Sequence, residues 1–199
     1  MNRYWCFPAG ETFLHKSPEG EPYQYTVTSS PIDVQAGDSA WYIEGDTVHV
    51  SRGPVAIDAS HCVVIRGYAP ANRSASLQGG TNLPYINGTS SETLIAPQRP
   101  GDPTAQLLFM PAHTSEQQHH IHSTTRVVRM LEGQCTVIIG TPGKHDSLPL
   151  KVGDTIVVSR MTPHHFVTDD DYFLCMPIHV WSSVPSESQH PMEFGTHTA

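Results

Sequence analysis

HIHSTTRVVRMLEGQCTVIIG, residues 120–140, joins two chemical patterns in one short stretch. It begins with H-x-H. On an extended strand successive side chains alternate, so His120 and His122 project from one face while His119 and Ile121 project from the other. Two imidazoles on one face chelate a transition metal, although alternating strands also produce H-x-H by chance. The remainder, RVVRMLEG and CTVIIG, reads as two β-branched runs on either side of a Gly-bearing turn, Leu131-Glu132-Gly133.

Working outward, GDTIVVSRMTPHHF at residues 153–166 offers a Gly-Asp turn, an apolar strand, a second turn and Pro163-His164. Together the two segments resemble the first and second motifs of the cupin superfamily, in order and in spacing. That resemblance implies an all-β fold, the double-stranded β-helix or jelly-roll barrel, with His120, His122 and His164 as ligands of one divalent transition metal. The commonest cupin pattern places a Glu ligand four residues after the second His, and here that position is Arg126. A guanidinium stays cationic and cannot ligate a metal. By strand parity Arg126 is expected on the face of His120 and His122, either as an anion clamp beside the metal or in a salt bridge with a loop carboxylate. Glu116 and Gln118 share that parity and are candidates for a fourth ligand or a solvated strand end.

A three-imidazole site without a carboxylate keeps the full charge of its ion, which favours a small anionic substrate that brings its own donors. Arg126 would grip such a group with paired N–H donors and is the candidate catalytic residue. Three-His cupins include dioxygenases, and the spacing from His122 to Glu132-Gly133 is similar to that of gentisate-type ring-cleaving bicupins. This chain is much shorter than those enzymes, and its motifs lie in the C-terminal half. The expected activity is therefore an Fe(II) dioxygenase consuming O2, with Ni, Zn, Mn or Cu as other metals the site would accept. A non-redox isomerase or lyase and a non-catalytic ligand-binding or sensor cupin are the competing readings.

Elsewhere the chain alternates strand and turn: YQYTV, SAWYIEG, TVHVS, CVVIRG, AQLLFMP, DTIVVS and YFLCMPIHV. Residues 41–50 echo residues 129–138 with Gly45 and Gly133 in register, and residues 63–70 echo residues 156–163. If the echo marks a repeat, Ile32 and Val34 stand where His120 and His122 do, and Ala71 stands for His164. Residues 1–91 are then a degenerate, metal-free cupin half; otherwise they elaborate a single barrel. Residues 92–182 are the expected metal-binding barrel, with 71–104 holding a Gly-, Ser-, Asn- and Pro-rich connection and 183–199 a flexible tail. His165 has the opposite parity to His164. It and His179 read as neighbours of the site, while His190 and His197 in the tail have no expected role. Cys135, Cys175 and Tyr172 could line the barrel, and Tyr85 and Arg99 could reach a substrate from the connection.

Composition narrows the partners. In 199 residues, 17 Pro and 15 Gly suit many short strands joined by tight turns. A net charge of −8 with 11 Lys plus Arg leaves no basic stripe for nucleic acid. No stretch approaches the roughly 20 apolar residues of a membrane span, and the first residues lack the pattern of a signal peptide. A cytoplasmic protein is expected, with Cys6, Cys62, Cys135 and Cys175 as reduced thiols. Since cupin barrel edges are often covered by a partner chain, a homodimer is also expected.

Overall fold

The computed structural model describes residues 3–181 except 22, 85, 99, 100 and 116–118. Glu116, Gln118, Tyr85, Arg99, His190 and His197 therefore lie outside the described residues, which hold strands and turns and no helix. The chain divides into two compact units, residues 10–79 and residues 1–9 with 80–199. The division falls at 79/80 rather than at 91/92, and the first nine residues join the C-terminal unit. They do so because β1 (Tyr4–Phe7) pairs with a strand near the far end of the chain.

The smaller unit contains β2 (Leu14–Lys16), β3 (Tyr25–Thr28), β4 (Ile32–Val34), β5 (Ser39–Glu44), β6 (Thr47–Arg52), β7 (Val55–Ile57), β8 (Cys62–Ile65) and β9 (Arg73–Ser76). Six of these form a sheet in the order β2-β3-β8-β5-β6-β9, and β4 pairs with β7. Val34, Ala40, Ile57, Cys62 and Val64 are buried together in its core, with Ile32, Tyr42, Val55 and Ala59 packed against them. Burial of this apolar set is what offsets the entropy of ordering such short strands.

The larger unit continues with β10 (Leu83–Pro84), β11 (Ser90–Ile95), β12 (Thr104–Met110), β13 (Arg126–Thr141), β14 (Lys144–Lys151), β15 (Thr155–Val158), β16 (His164–Val167) and β17 (Phe173–His179). One sheet runs β1-β15-β13-β17-β12-β11-β10, while β14 and β16 pair with the far half of β13. The 16-residue β13 thus crosses from one sheet of the barrel to the other. The turn expected at Leu131-Glu132-Gly133 is absent. Pairing with β17 instead shifts register between Met130 and Glu132, and Gly133 has φ 64°. A Cβ on Gly133 would run into the Tyr172 carbonyl oxygen, so the chain passes this point as a glycine bulge and stays extended. Gly45, its partner in the sequence echo, does make a turn, at the tip of the β5–β6 hairpin.

The barrel interior is apolar over most of its depth. Leu108, Met110, Val128, Met130, Val137, Ile139, Leu150, Ile156, Phe166 and Phe173 form one buried cluster. Cys135 and Cys175 belong to it as packing residues, and Cys6, Cys62, Cys135 and Cys175 form no disulfide among the described residues. Burial pushes the Cys62 thiol up to about 12. Tyr172 does not line the interior: it is exposed, and its hydroxyl donates to Glu132 at 2.9 Å.

The two units share a pairing pattern. In the smaller, β3 pairs β8, β8 pairs β5, β5 pairs β6, and β4 pairs β7. In the larger, β12 pairs β17, β17 pairs β13, β13 pairs β15, and the segment ending at His120 bridges β16. The larger unit adds the second half of β13 and β14. By this pattern β8 answers to β17 rather than to β15, so Ile57 on β7, and not Ala71, holds the place of His164.

Candidate metal centre

The three histidines converge although the segment carrying two of them is not a strand. His120 makes a single bridge with His164: the His120 N–H donates to the His164 carbonyl at 3.2 Å and the His164 N–H to the His120 carbonyl at 3.0 Å. Residues 121–125 then leave the sheet, which corrects the expectation of an extended H-x-H strand. His122 is instead held by the loop between β15 and β16, where the Met161 N–H donates to its carbonyl at 2.7 Å. Met161 adopts a left-handed φ of 60°, and the next N-terminal amide, Arg160, donates to the Thr125 hydroxyl at 3.2 Å. The loop that precedes Pro163-His164 therefore positions the second histidine as well as the third.

Farther back, the Gly153-Asp154 turn is locked by the buried Asp154 carboxylate. It accepts from the Lys151 N–H at 2.9 Å and the Ala9 N–H at 2.8 Å, which ties the first residues of the chain to the start of β15. Arg129 also donates to the Gly153 carbonyl and to the Thr155 hydroxyl. This turn is scaffold. It fixes β15 and through it the loop carrying His164.

His120, His122 and His164 are all buried, at 2%, 3% and 3% exposure, and their ligand atoms lie within 4.8 Å of one another. The Nε2 atoms of His120 and His122 are 3.0 Å apart. Ring centroids are 4.6 to 5.1 Å apart around the triangle. The His164 Nδ1 lies 2.8 Å from the Thr162 carbonyl oxygen, which requires Nδ1 to carry the proton and leaves Nε2 as a lone-pair donor. Burial holds the His122 imidazole well below its usual range, with the Arg126 guanidinium next in effect, followed by His164, His120 and His179. A neutral imidazole is the form that binds metal. Donor type, protonation and convergence all fit a divalent transition metal of the Fe, Ni, Cu or Zn kind.

Arg126 is the first residue of β13, and its interior position follows from β13 itself rather than from parity carried through residues 121–125. It alternates with Val128 and Met130, both in the barrel core. Cross-strand pairing makes a row at this level: Thr104 opposite His179, His179 opposite Arg126, and Arg126 opposite Val158. Paired residues share a face of the sheet. Thr104 and His179 are buried at 3% and 2% exposure, so this end of the barrel carries a polar row next to the three histidines while the rest is apolar. His179 was expected only as a neighbour; its register opposite Arg126 depends on a pairing between distant segments that no local motif encodes. His165 lies on β16 facing away from the centre, as its parity required.

The barrel, its strand order and the convergent histidines define a cupin fold. Residues 106–181, from within β12 to just beyond β17, match the cupin domain family model, and this part of the chain is a cupin domain. A protein of Pseudomonas aeruginosa described as glyoxylate-induced has a similar structure, with a TM-score of 0.61, 10% identity, and coverage of 90% of this chain and 82% of that one. Bacillus subtilis oxalate decarboxylase is similar over 91% of this chain and 78% of its own, with a TM-score of 0.57 and 8% identity. A cupin barrel protein from Leptotrichia buccalis aligns over 87% of this chain and 90% of its own, at 14% identity and a TM-score of 0.47. No curated protein sequence matches the chain. Among the described residues no helix is long and apolar enough to cross a membrane.

Proposed function

We propose that the larger unit is a metal-dependent oxidoreductase, an Fe(II) dioxygenase that acts on a small anionic organic molecule. The observation that carries this reading is the donor set: three buried imidazoles with a guanidinium beside them and, among the described residues, no carboxylate in the group. When bound, Fe(II) would supply the open coordination positions that substrate and O2 require. His120, His122 and His164 would hold it through ring nitrogens, with His164 oriented by the Thr162 carbonyl. Arg126 would bind the substrate's anionic group through paired N–H donors, a geometry suited to carboxylates. Thr104 and His179 complete the polar wall at the same level. The apolar cluster beyond them, from Val128 and Ile156 to Phe173, excludes water and limits the substrate to a small molecule.

The test is oxygen uptake after anaerobic loading with Fe(II), against a panel of small carboxylates, diketones and thiols. Uptake coupled to loss of one panel compound, abolished in His122→Ala, is the expected result. Tight metal binding with no oxygen uptake across the panel contradicts the proposal. Turnover without oxygen, supported by Zn(II), Ni(II) or Mn(II), would select an isomerase or lyase instead.

A further inference from the structure

A second group of histidines lies on the outer face of the sheet whose inner face carries His164. The His119 and His165 rings meet edge to face with centroids 4.7 Å apart, and their Nδ1 atoms are 3.0 Å from one another. His145, exposed on β14, has its ring centroid 6.3 Å from that of His119. The strand register explains the grouping. His165 and Ser147 both pair with Ile138 of β13, and His145, two residues from Ser147, pairs with Gly140. His145 and His165 therefore share one face, the His119 ring joins it through its contact with His165, and Gly140 puts no side chain between His145 and the other two rings.

We propose that His119, His145 and His165 form a second metal site, partly exposed, for a borderline divalent cation such as Zn(II), Cu(II) or Ni(II). Two ring nitrogens at this separation are held together either by one shared proton or by a cation that takes both lone pairs. Tetrahedral Zn with bonds of about 2.0–2.1 Å places its ligand nitrogens roughly 3.3 Å apart, so a few tenths of an ångström of opening admits the ion. His145 closes on it by side-chain rotation as a third ligand, and water completes the shell. Imidazole is the donor these ions prefer, whereas Mg and Ca require oxygen. The site is separate from the buried centre but shares its backbone, because His119 precedes His120 and His165 follows His164. A cation there ties together the two segments that bring the buried ligands to each other.

Zn(II) titration of the full chain by calorimetry, with bound metal counted by elemental analysis, tests this. The wild type should take up two equivalents. His120→Ile with His164→Ile should retain one, which separates this site from the buried one. His165→Asn should lose one and keep the other. His145→Ala, at an exposed position away from the buried ligands, should weaken the second equivalent at least tenfold. A single equivalent in the wild type that is lost in His120→Ile with His164→Ile overturns the proposal, as does a second equivalent with unchanged affinity in both His165→Asn and His145→Ala. If His165→Asn also disturbs the buried equivalent, His145→Ala alone decides.

Discussion

In the smaller unit Ile32 stands opposite Ile57 across β4 and β7; in the larger unit His120 stands opposite His164 across the corresponding bridge. Val34, two residues beyond Ile32, is buried in an apolar core, whereas His122, two beyond His120, completes a triangle of imidazoles. The same pairing frame thus supports a packed hydrophobic core in one unit and a polar centre in the other. What differs is a few side chains, together with the extra half of β13 and β14 that the larger unit inserts. The expectation that follows is that the larger unit's frame folds without the site.

That contrast is most sharply broken by giving the larger unit the smaller unit's residues. The double substitution His120→Ile with His164→Ile should abolish metal binding at the buried centre, measured by elemental analysis. In thermal unfolding of the metal-free protein the loss should stay within about 2–4 kcal/mol, because apolar burial offsets part of what His122 Nε2 and the Thr162 carbonyl lose with their partners. Unfolding of the variant would show instead that the histidines hold the frame.

The two glycines in register come next. Gly133→Ala places a Cβ against the Tyr172 carbonyl at a left-handed φ and should cost about 3 kcal/mol or more. At Gly45→Ala, where φ is 56° but the space is open, the cost should be about 1 kcal/mol. Denaturant melts of both variants measure the difference, and equal costs would mean the bulge in β13 is not a constraint.

Arg126 sharpens the comparison at the level of substrate. Arg126→Gln should retain the metal while raising KM for an anionic substrate about 10- to 100-fold, the loss of a charge-assisted contact worth roughly 1.5–3 kcal/mol. Loss of metal together with activity would give Arg126 a structural role instead. The smallest effect concerns pH. His122 is neutral in the folded metal-free protein because burial depresses its pKa, while in the unfolded chain it takes up a proton below about pH 6.5. Its contribution to stability is thus present above that pH and falls as the solution is acidified, by no more than about 1.4 kcal/mol per unit. Burial depresses His15 of the smaller unit in the same direction. Melts of the metal-stripped protein from pH 7 to 5 should slope downward, and His122→Phe should flatten the slope without removing it.

The cupin fold and the three convergent histidines were legible in the sequence because both motifs are local: H-x-H and Pro-His each span a few residues, and their order along the chain matches the barrel. Arg126 was identified as a departure by position, but its interior placement rests on β13 and not on alternation through residues 121–125, which leave the sheet. The expected turn at Leu131-Glu132-Gly133 failed because a glycine with positive φ serves a bulge as well as a hairpin, and only the carbonyl of Tyr172, far along the chain, decides between them. The same distance hid the row of Thr104, His179 and Arg126, and it misled the repeat: Val- and Gly-rich strands look alike, so β8 was matched to β15 when pairing aligns it with β17. Side-chain chemistry is written locally, while register is set by contacts between remote strands.

The central claim is that one metal sits between His120, His122 and His164. Anomalous diffraction at the iron edge, from crystals loaded with one equivalent of Fe(II) under argon, tests it directly. The account predicts a strong peak about 2.0–2.2 Å from a ring nitrogen of each of the three histidines. Full loading with no peak among these rings would contradict it.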